Sequence, residues 1–242
     1  MGLQRYLRAL GEDDLPDRIK VSDAVFRLEK EFKHNGLAAV GLYACGTDRA
    51  VLKCYRRAPF LGLPLEWAGR LMARYEAAVL REAEGIRGVP AFRGFHGRTG
   101  LVRDFVPGQP LSRRADVDMR FLKHLFRTIR ALHRRGIAYV DLEKAKNIVI
   151  GEDGLPHLID FQVAFYVPER FLGRTFPVRW LRGLLKEADL YHARKHFRRL
   201  MRDRLSRRQK NQLRRKPWFV DLSNVLHAPY KKLRRWLFGR GA

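Results

Sequence analysis

In the segment Val51-Leu52-Lys53-Cys54-Tyr55 a lysine stands inside an apolar stretch, and this one charge constrains the fold more than any other feature. An unpaired ammonium among apolar neighbours costs several kcal/mol, so a chain that keeps one there has to answer its charge. Residues 38–55, AAVGLYACGTDRAVLKCY, read as two strands around a Gly-Thr-Asp turn, because β-branched and aromatic residues flank a turn-forming cluster. Lys53 then lies within the second strand. From Glu66 to Gly85 the positions of Trp67, Leu71, Met72, Tyr75, Val79, Leu80 and Ala83 follow a helical period, and Gly85 supplies the stop. This helix carries Glu76, with Glu82 and Glu84 near its end.

Two short strands follow, AFRGFH and LVRDFV, joined by GRTG, and the second runs into the Pro107-Gly108-Gln109-Pro110 segment, which reads as a hinge. A second helical pattern spans about Asp116 to Arg135, with Phe121, Leu125, Ile129 and Leu132 on one stripe and Gly136 just past the end. A loop with Asp141 and Asn147 precedes a hairpin, NIVI-GEDG-LPHLID, which Asp160 ends. From Phe171 the chain is helical in character, with a break at Pro217 and a final segment from Ala228 to Phe238. His196 and Asp189 share a helix that is expected to pack beneath the loop. His133, His157, His192 and His196 have no metal-ligand spacing and read as surface or packing residues. Cys45 and Cys54 read as reduced packing residues, with no disulfide framework.

Transfer of a phosphoryl group from ATP needs a cation on the α/β-phosphates, an acid that holds this cation, magnesium ligands and a carboxylate near the attacking hydroxyl. The sequence offers one candidate for each, in order: Lys53, Glu76, then Asp141, Asn147 and Asp160. This series resembles the protein-kinase fold, from roughly Val40 to Phe165, and is closest to small bacterial kinase-like proteins related to lipopolysaccharide core kinases and RIO kinases. The resemblance implies an α+β, two-lobed architecture. A small antiparallel-sheet lobe with one helix would cover residues 1–106 and a mainly helical lobe residues 107–242, with ATP and Mg2+ in the cleft. It further implies that Lys53 and Glu76 form an ion pair, that Asp141 positions the acceptor hydroxyl, and that Asn147 and Asp160 hold magnesium. The acceptor implied is a hydroxyl, as on a lipopolysaccharide or other lipid-linked sugar. Asp104 falls where the adenine edge would meet backbone groups.

The sequence also departs from that pattern. Tyr139-Val140 stands where His-Arg or His-Gly is usual, Asp141 to Asn147 is one residue longer, and Gln162 replaces the glycine after Asp160-Phe161. The longer loop has to bulge. Only Gly36, Gly41 and Gly46 are scattered near the first strands, so no glycine-rich phosphate loop is identified. Glu143, Lys144 and Lys146 read as solvated loop charges.

Charge bears on partners. The chain of 242 residues has a net charge of +25, and residues 170–242 hold 22 Lys and Arg against 4 Asp and Glu, which is +18 of it. Such a field attracts polyanions of any kind. In the tail, Trp218, Tyr230, Trp236, Leu237 and Phe238 interleave with Lys231, Lys232, Arg234, Arg235 and Arg240, the composition of a segment lying on an anionic membrane. With no signal-peptide apolar segment, the chain is expected in the cytoplasm, peripheral on the inner face of the membrane. A RIO-like protein serine kinase, a pseudokinase scaffold and a nucleic-acid binder are the competing readings. No zinc-finger spacing or RNP motif supports the last.

Overall fold

The need to answer one interior charge is met by a sheet with two unlike faces. The computed structural model describes residues 8–60, 62–112, 115–168, 173–202, 205–213 and 217. The described residues divide into two units, one holding those up to Arg81 together with Ala91–Phe105, the other Glu82–Pro90 and the described residues from Val106 on.

The first unit is built on six antiparallel strands: β1 Arg18–Val21, β2 Ala24–His34, β3 Ala38–Cys45, β4 Asp48–Tyr55, β5 Phe92–His96 and β6 Gly100–Asp104, in the order β1-β2-β3-β4-β6-β5. In β3 and β4, Val40 lies opposite Lys53 and Ala38 opposite Tyr55, and in β6 Leu101 lies opposite Lys53. Directly opposed residues share a face, so these form one side of the sheet. The other side carries Ala39, Tyr43, Ala50, Leu52, Cys54 and Val102, which pack with Leu10, Leu15, Ile19 and Phe26 into a hydrophobic cluster. Gly41 belongs to this second side, where a Cβ would meet Leu15 and Leu28 at 2.8 and 2.9 Å. It is a packing glycine. The β2–β3 connection at Gly36 is likewise held in place, since Arg56 donates to the Gly36 carbonyl at 2.8 Å and Ala9 N donates to that of Asn35 at 2.8 Å. Gly46 lies in the β3–β4 turn with φ +60°.

Helix α1, Glu66–Glu82, buries Gly69, Ala73, Glu76, Ala77, Val79 and Leu80. Trp67 and Leu71, expected on the apolar stripe, are instead 65% and 62% exposed. The physical reason is close approach: a Cβ at Gly69 would lie 2.1 Å from the Arg56 carbonyl oxygen, so the first turns of the buried face are made of small residues, Gly69 and Ala73, and leave no room for a large side chain.

In the second unit, α2, Met119–Arg134, starts at Asp118, whose carboxylate accepts from Phe121 N at 2.7 Å and caps the helix. Phe121, Leu125, Ile129 and Leu132 are buried as the stripe predicts, and Leu122 is buried beside them. The Pro-Gly segment forms strand β7, Gly108–Pro110, paired with β8, Ile148–Gly151, which pairs with β9, Pro156–Leu158. Gly108, at φ +145°, lets the backbone approach Ile150, whose carbonyl oxygen a Cβ would meet at 2.1 Å. The segment read as a hinge thus includes a short strand just past the division at Phe105. Helix α3 runs Phe176–Leu200 and α4 Arg207–Gln212. The expected segment Ala228–Phe238 and the tail aromatics and cations from Trp218 on lie outside the described residues. Among the described residues no helix is long and apolar enough to cross a membrane.

Candidate functional site

Strand periodicity puts Lys53 and Tyr55 on the same side of β4, and α1 delivers Glu76 to both. Lys53 Nζ lies 2.9 Å from Glu76 Oε2 and 3.3 Å from Oε1, with the two side chains 9% and 1% exposed. The Tyr55 hydroxyl donates to Glu76 Oε2, and the Lys53 ammonium lies 5.1 Å from the Tyr55 ring centroid. Lys53 and Tyr55, one charged donor and one neutral, thus both hold Glu76. Of the three carboxylates late in this helical segment, only Glu76 reaches Lys53. Glu82 accepts from the Tyr166 hydroxyl at 2.6 Å, within the second unit, and Glu84 is exposed. Tyr55 was legible as a same-face neighbour two residues beyond Lys53, but its hydroxyl was not assigned a role. Asp104 is a structural latch, accepting from Ala91 N at 3.2 Å and from Arg93 Nε at 2.6 Å.

The second unit gathers the other three residues around a strained loop. Val140 adopts φ +67°, a conformation costly for a β-branched residue. It is held by Asp189 of α3, fully buried, whose Oδ1 accepts from Val140 N at 2.8 Å and whose Oδ2 accepts from Tyr139 N at 2.7 Å. His133 Nε2 lies 3.0 Å from the same Oδ2, so this histidine is more than a packing residue. His196 Nε2 donates to the Leu142 carbonyl at 2.7 Å. Burial lowers the pKa of both His192 and His196 and keeps them neutral. The helix expected beneath the loop thus grips it at Tyr139, Val140 and Leu142.

Beyond Val140, the loop closes on itself. Asn147 Nδ2 donates to Asp141 Oδ2 at 2.8 Å, and a short 3₁₀ turn, Ala145–Asn147, takes up the additional residue. Lys144, expected to be merely solvated, reaches Asp141 Oδ2 at 2.7 Å, while Glu143 pairs with Lys195 at 3.2 Å. Lys146 is exposed. Asp160 follows β9: its N donates to the Tyr139 hydroxyl at 3.4 Å, and its Oδ1 accepts from Gln162 N at 3.3 Å. Ile159 N bonds the Asn147 carbonyl at 3.1 Å, which ties the two candidate metal ligands to neighbouring backbone. Tyr139 packs edge-on against Phe161, with ring centroids 5.0 Å apart. Burial, then the adjacent Asp160 charge, raises its hydroxyl pKa well above the usual value and keeps it a neutral phenol.

The donor set suits magnesium. Among the described residues no three His, Cys, Asp or Glu converge as a metal cage. Magnesium needs none, because it takes one or two protein oxygens and completes its shell with water and phosphate. Asp160 supplies a carboxylate, and the bond from Asn147 Nδ2 to Asp141 turns the amide oxygen of Asn147 away from that acid.

No protein-family model and no curated protein matches the sequence. Among solved structures the chain is similar to the Rio2 kinase of Chaetomium thermophilum, crystallised as an ADP/Mg2+-phosphoaspartate complex. The TM-score is 0.54 at 17% identity, over 72% of this chain and 56% of that one. The chain therefore spans little more than half the length of that protein. At this identity the likeness shows the fold, which is protein-kinase-like.

Proposed function

We propose that the chain is an ATP- and magnesium-dependent phosphotransferase with a hydroxyl acceptor. The observation that carries this reading is the buried Lys53–Glu76 pair, set on the sheet face opposite the cluster of Tyr43, Leu52 and Val102. A buried ion pair is poor value as a stabiliser, since well-packed apolar residues serve as well or better. Its retention points to use of the ammonium. In the proposed chemistry Lys53 binds the α/β-phosphates, with Glu76 and Tyr55 fixing its position. Asp160 and Asn147 are the residues that would hold Mg2+, which when bound neutralises charge on the phosphoryl group being transferred. Asp141 accepts the proton of the attacking hydroxyl, and Lys144 and Asn147 fix its carboxylate. Asp189 holds the loop that presents it.

The acceptor class proposed is a sugar hydroxyl on a lipid-linked glycan, met by a cytoplasmic chain at the inner membrane face through its basic tail. The motif resemblance to lipopolysaccharide kinases and the tail composition support it. A protein serine is the alternative, supported by the likeness to Rio2 kinase. A pseudokinase reading is favoured by one observation, the pinned β2–β3 connection where a mobile phosphate-covering loop would be expected.

The test is transfer from γ-labelled ATP in the presence of magnesium, to water, to lipid-linked sugar extracts and to protein. Asp141→Asn is expected to lower turnover by about 10²–10⁴-fold, the usual worth of a positioned general base, with nucleotide binding retained. Binding without turnover under all acceptor conditions would move the assignment to a pseudokinase.

A further inference from the structure

Helix α3 has its polarity inverted. Its buried residues are Arg182, Asp189, His192, Ala193 and His196, whereas Phe176, Trp180 and Leu181 are 80%, 55% and 40% exposed. The polar inner face is accounted for by the loop contacts of Asp189 and His196 and by Arg182, which donates to the carbonyls of Val167 and Gly173. The apolar outer face has no such account. An ordinary surface helix shows the reverse arrangement.

Phe176 and Trp180 are four residues apart and so lie on one face one turn apart, with Leu181 beside them. Arg174 and Arg179, both exposed, border this patch, and no acid occurs from residue 170 until Glu187. We propose that the N-terminal half of α3, residues 176–186, docks on an anionic lipid bilayer. Phe176, Trp180 and Leu181 enter the interface and Arg179 meets headgroup phosphates, the side-chain set that interfacial helices use. Charge selects this occupant. A second copy of the chain meeting the same patch across a two-fold axis would oppose arginine with arginine. A single-stranded nucleic acid would use the two rings and the guanidinium groups but gain nothing from Leu181 or Pro177. The surface is made of α3 residues and does not depend on the phosphotransferase reading.

The experiment is co-sedimentation of the full chain with phosphatidylcholine vesicles, with and without phosphatidylglycerol, comparing wild type with Phe176→Ser/Trp180→Ser. Both positions are exposed and the net charge is unchanged, so an unaltered melting temperature verifies the fold of the variant. The variant is expected to lose about tenfold or more in partition to the anionic vesicles, because the apolar contribution is removed while the +25 field remains. A second variant with Trp67, Trp218 and Trp236 changed to Phe leaves Trp180 as reporter, and its emission is expected to shift to the blue on vesicle addition. Equal partition of wild type and double variant, or no shift of Trp180 emission, overturns the proposal. So does a loss seen for RNA binding or self-association but not for vesicles.

Discussion

Glu76 is the residue on which the first half of the candidate site turns, since it answers both the Lys53 ammonium and the Tyr55 hydroxyl in a buried position. Lys53→Met leaves that carboxylate without its cation and is expected to cost about 3–5 kcal/mol in a denaturant titration, the usual effect of breaking a buried pair from one side. Changing both partners, Lys53→Met with Glu76→Leu, is expected to recover much of that loss, because no uncompensated charge remains. Tyr55→Phe removes one bond to a charged acceptor and is expected to cost about 1.5–3 kcal/mol. If the reading of Lys53 as a phosphate ligand is right, it also raises KM for ATP more than it lowers kcat, measured by steady-state kinetics. Lys53, Glu76, Asp141, Asn147 and Asp160 could be named as candidates from the sequence because each residue type stands at a place where strand, helix or hairpin patterns were strong. The helix with Asp189 was expected beneath the loop, and Tyr55 was legible as a same-face neighbour of Lys53, but the particular bonds of Tyr55, Asp189 and Lys144 were not. These hydrogen bonds are encoded by no periodicity, and Asp189 reaches the loop from 49 residues away.

At the level of elements, close packing of α1 on its strands decides where Glu76 sits. Gly69→Ala places a methyl group against the Arg56 carbonyl oxygen, and the resulting overpacking is expected to lower stability by about 1–3 kcal/mol, read from the melting curve. The same closeness explains why the exposed Trp67 and Leu71 were misassigned to the core stripe, for the true stripe is Gly69, Ala73, Glu76, Ala77 and Leu80. Strands β1 and β2 were also missed. β1 has four residues, and β2 is mostly exposed and carries register shifts between Leu28 and Lys30 and between Glu31 and Lys33, which break the alternation a strand reading depends on. In α3, burial holds the pKa of His192 and His196 below the ordinary 6.5. The unfolded chain then binds more protons than the folded one between that lowered value and 6.5, so the stability linked to these groups is complete above about pH 6.5 and is lost as pH falls through the folded pKa. Unfolding midpoints taken at pH 7.5 and at successively lower pH are expected to fall. His196→Gln, which can still donate to the Leu142 carbonyl, is expected to flatten that fall.

For the whole molecule, the fold is shared with a kinase, and the candidate residues divide into two groups that the chain's two units hold separately. Lys53 and Glu76 belong to the first, Asp141, Asn147 and Asp160 to the second. An active phosphotransferase would need both groups, so a ligand that engages the second should be felt as stability of the native protein. The most direct measurement is the thermal shift of purified protein with millimolar Mg-ATP, compared between wild type and Asp160→Ala, because a ligand bound only by the native state raises its melting temperature by mass action. The account predicts a clear rise for wild type that is abolished in the variant. No rise for wild type, or an equal rise for both proteins, would contradict it.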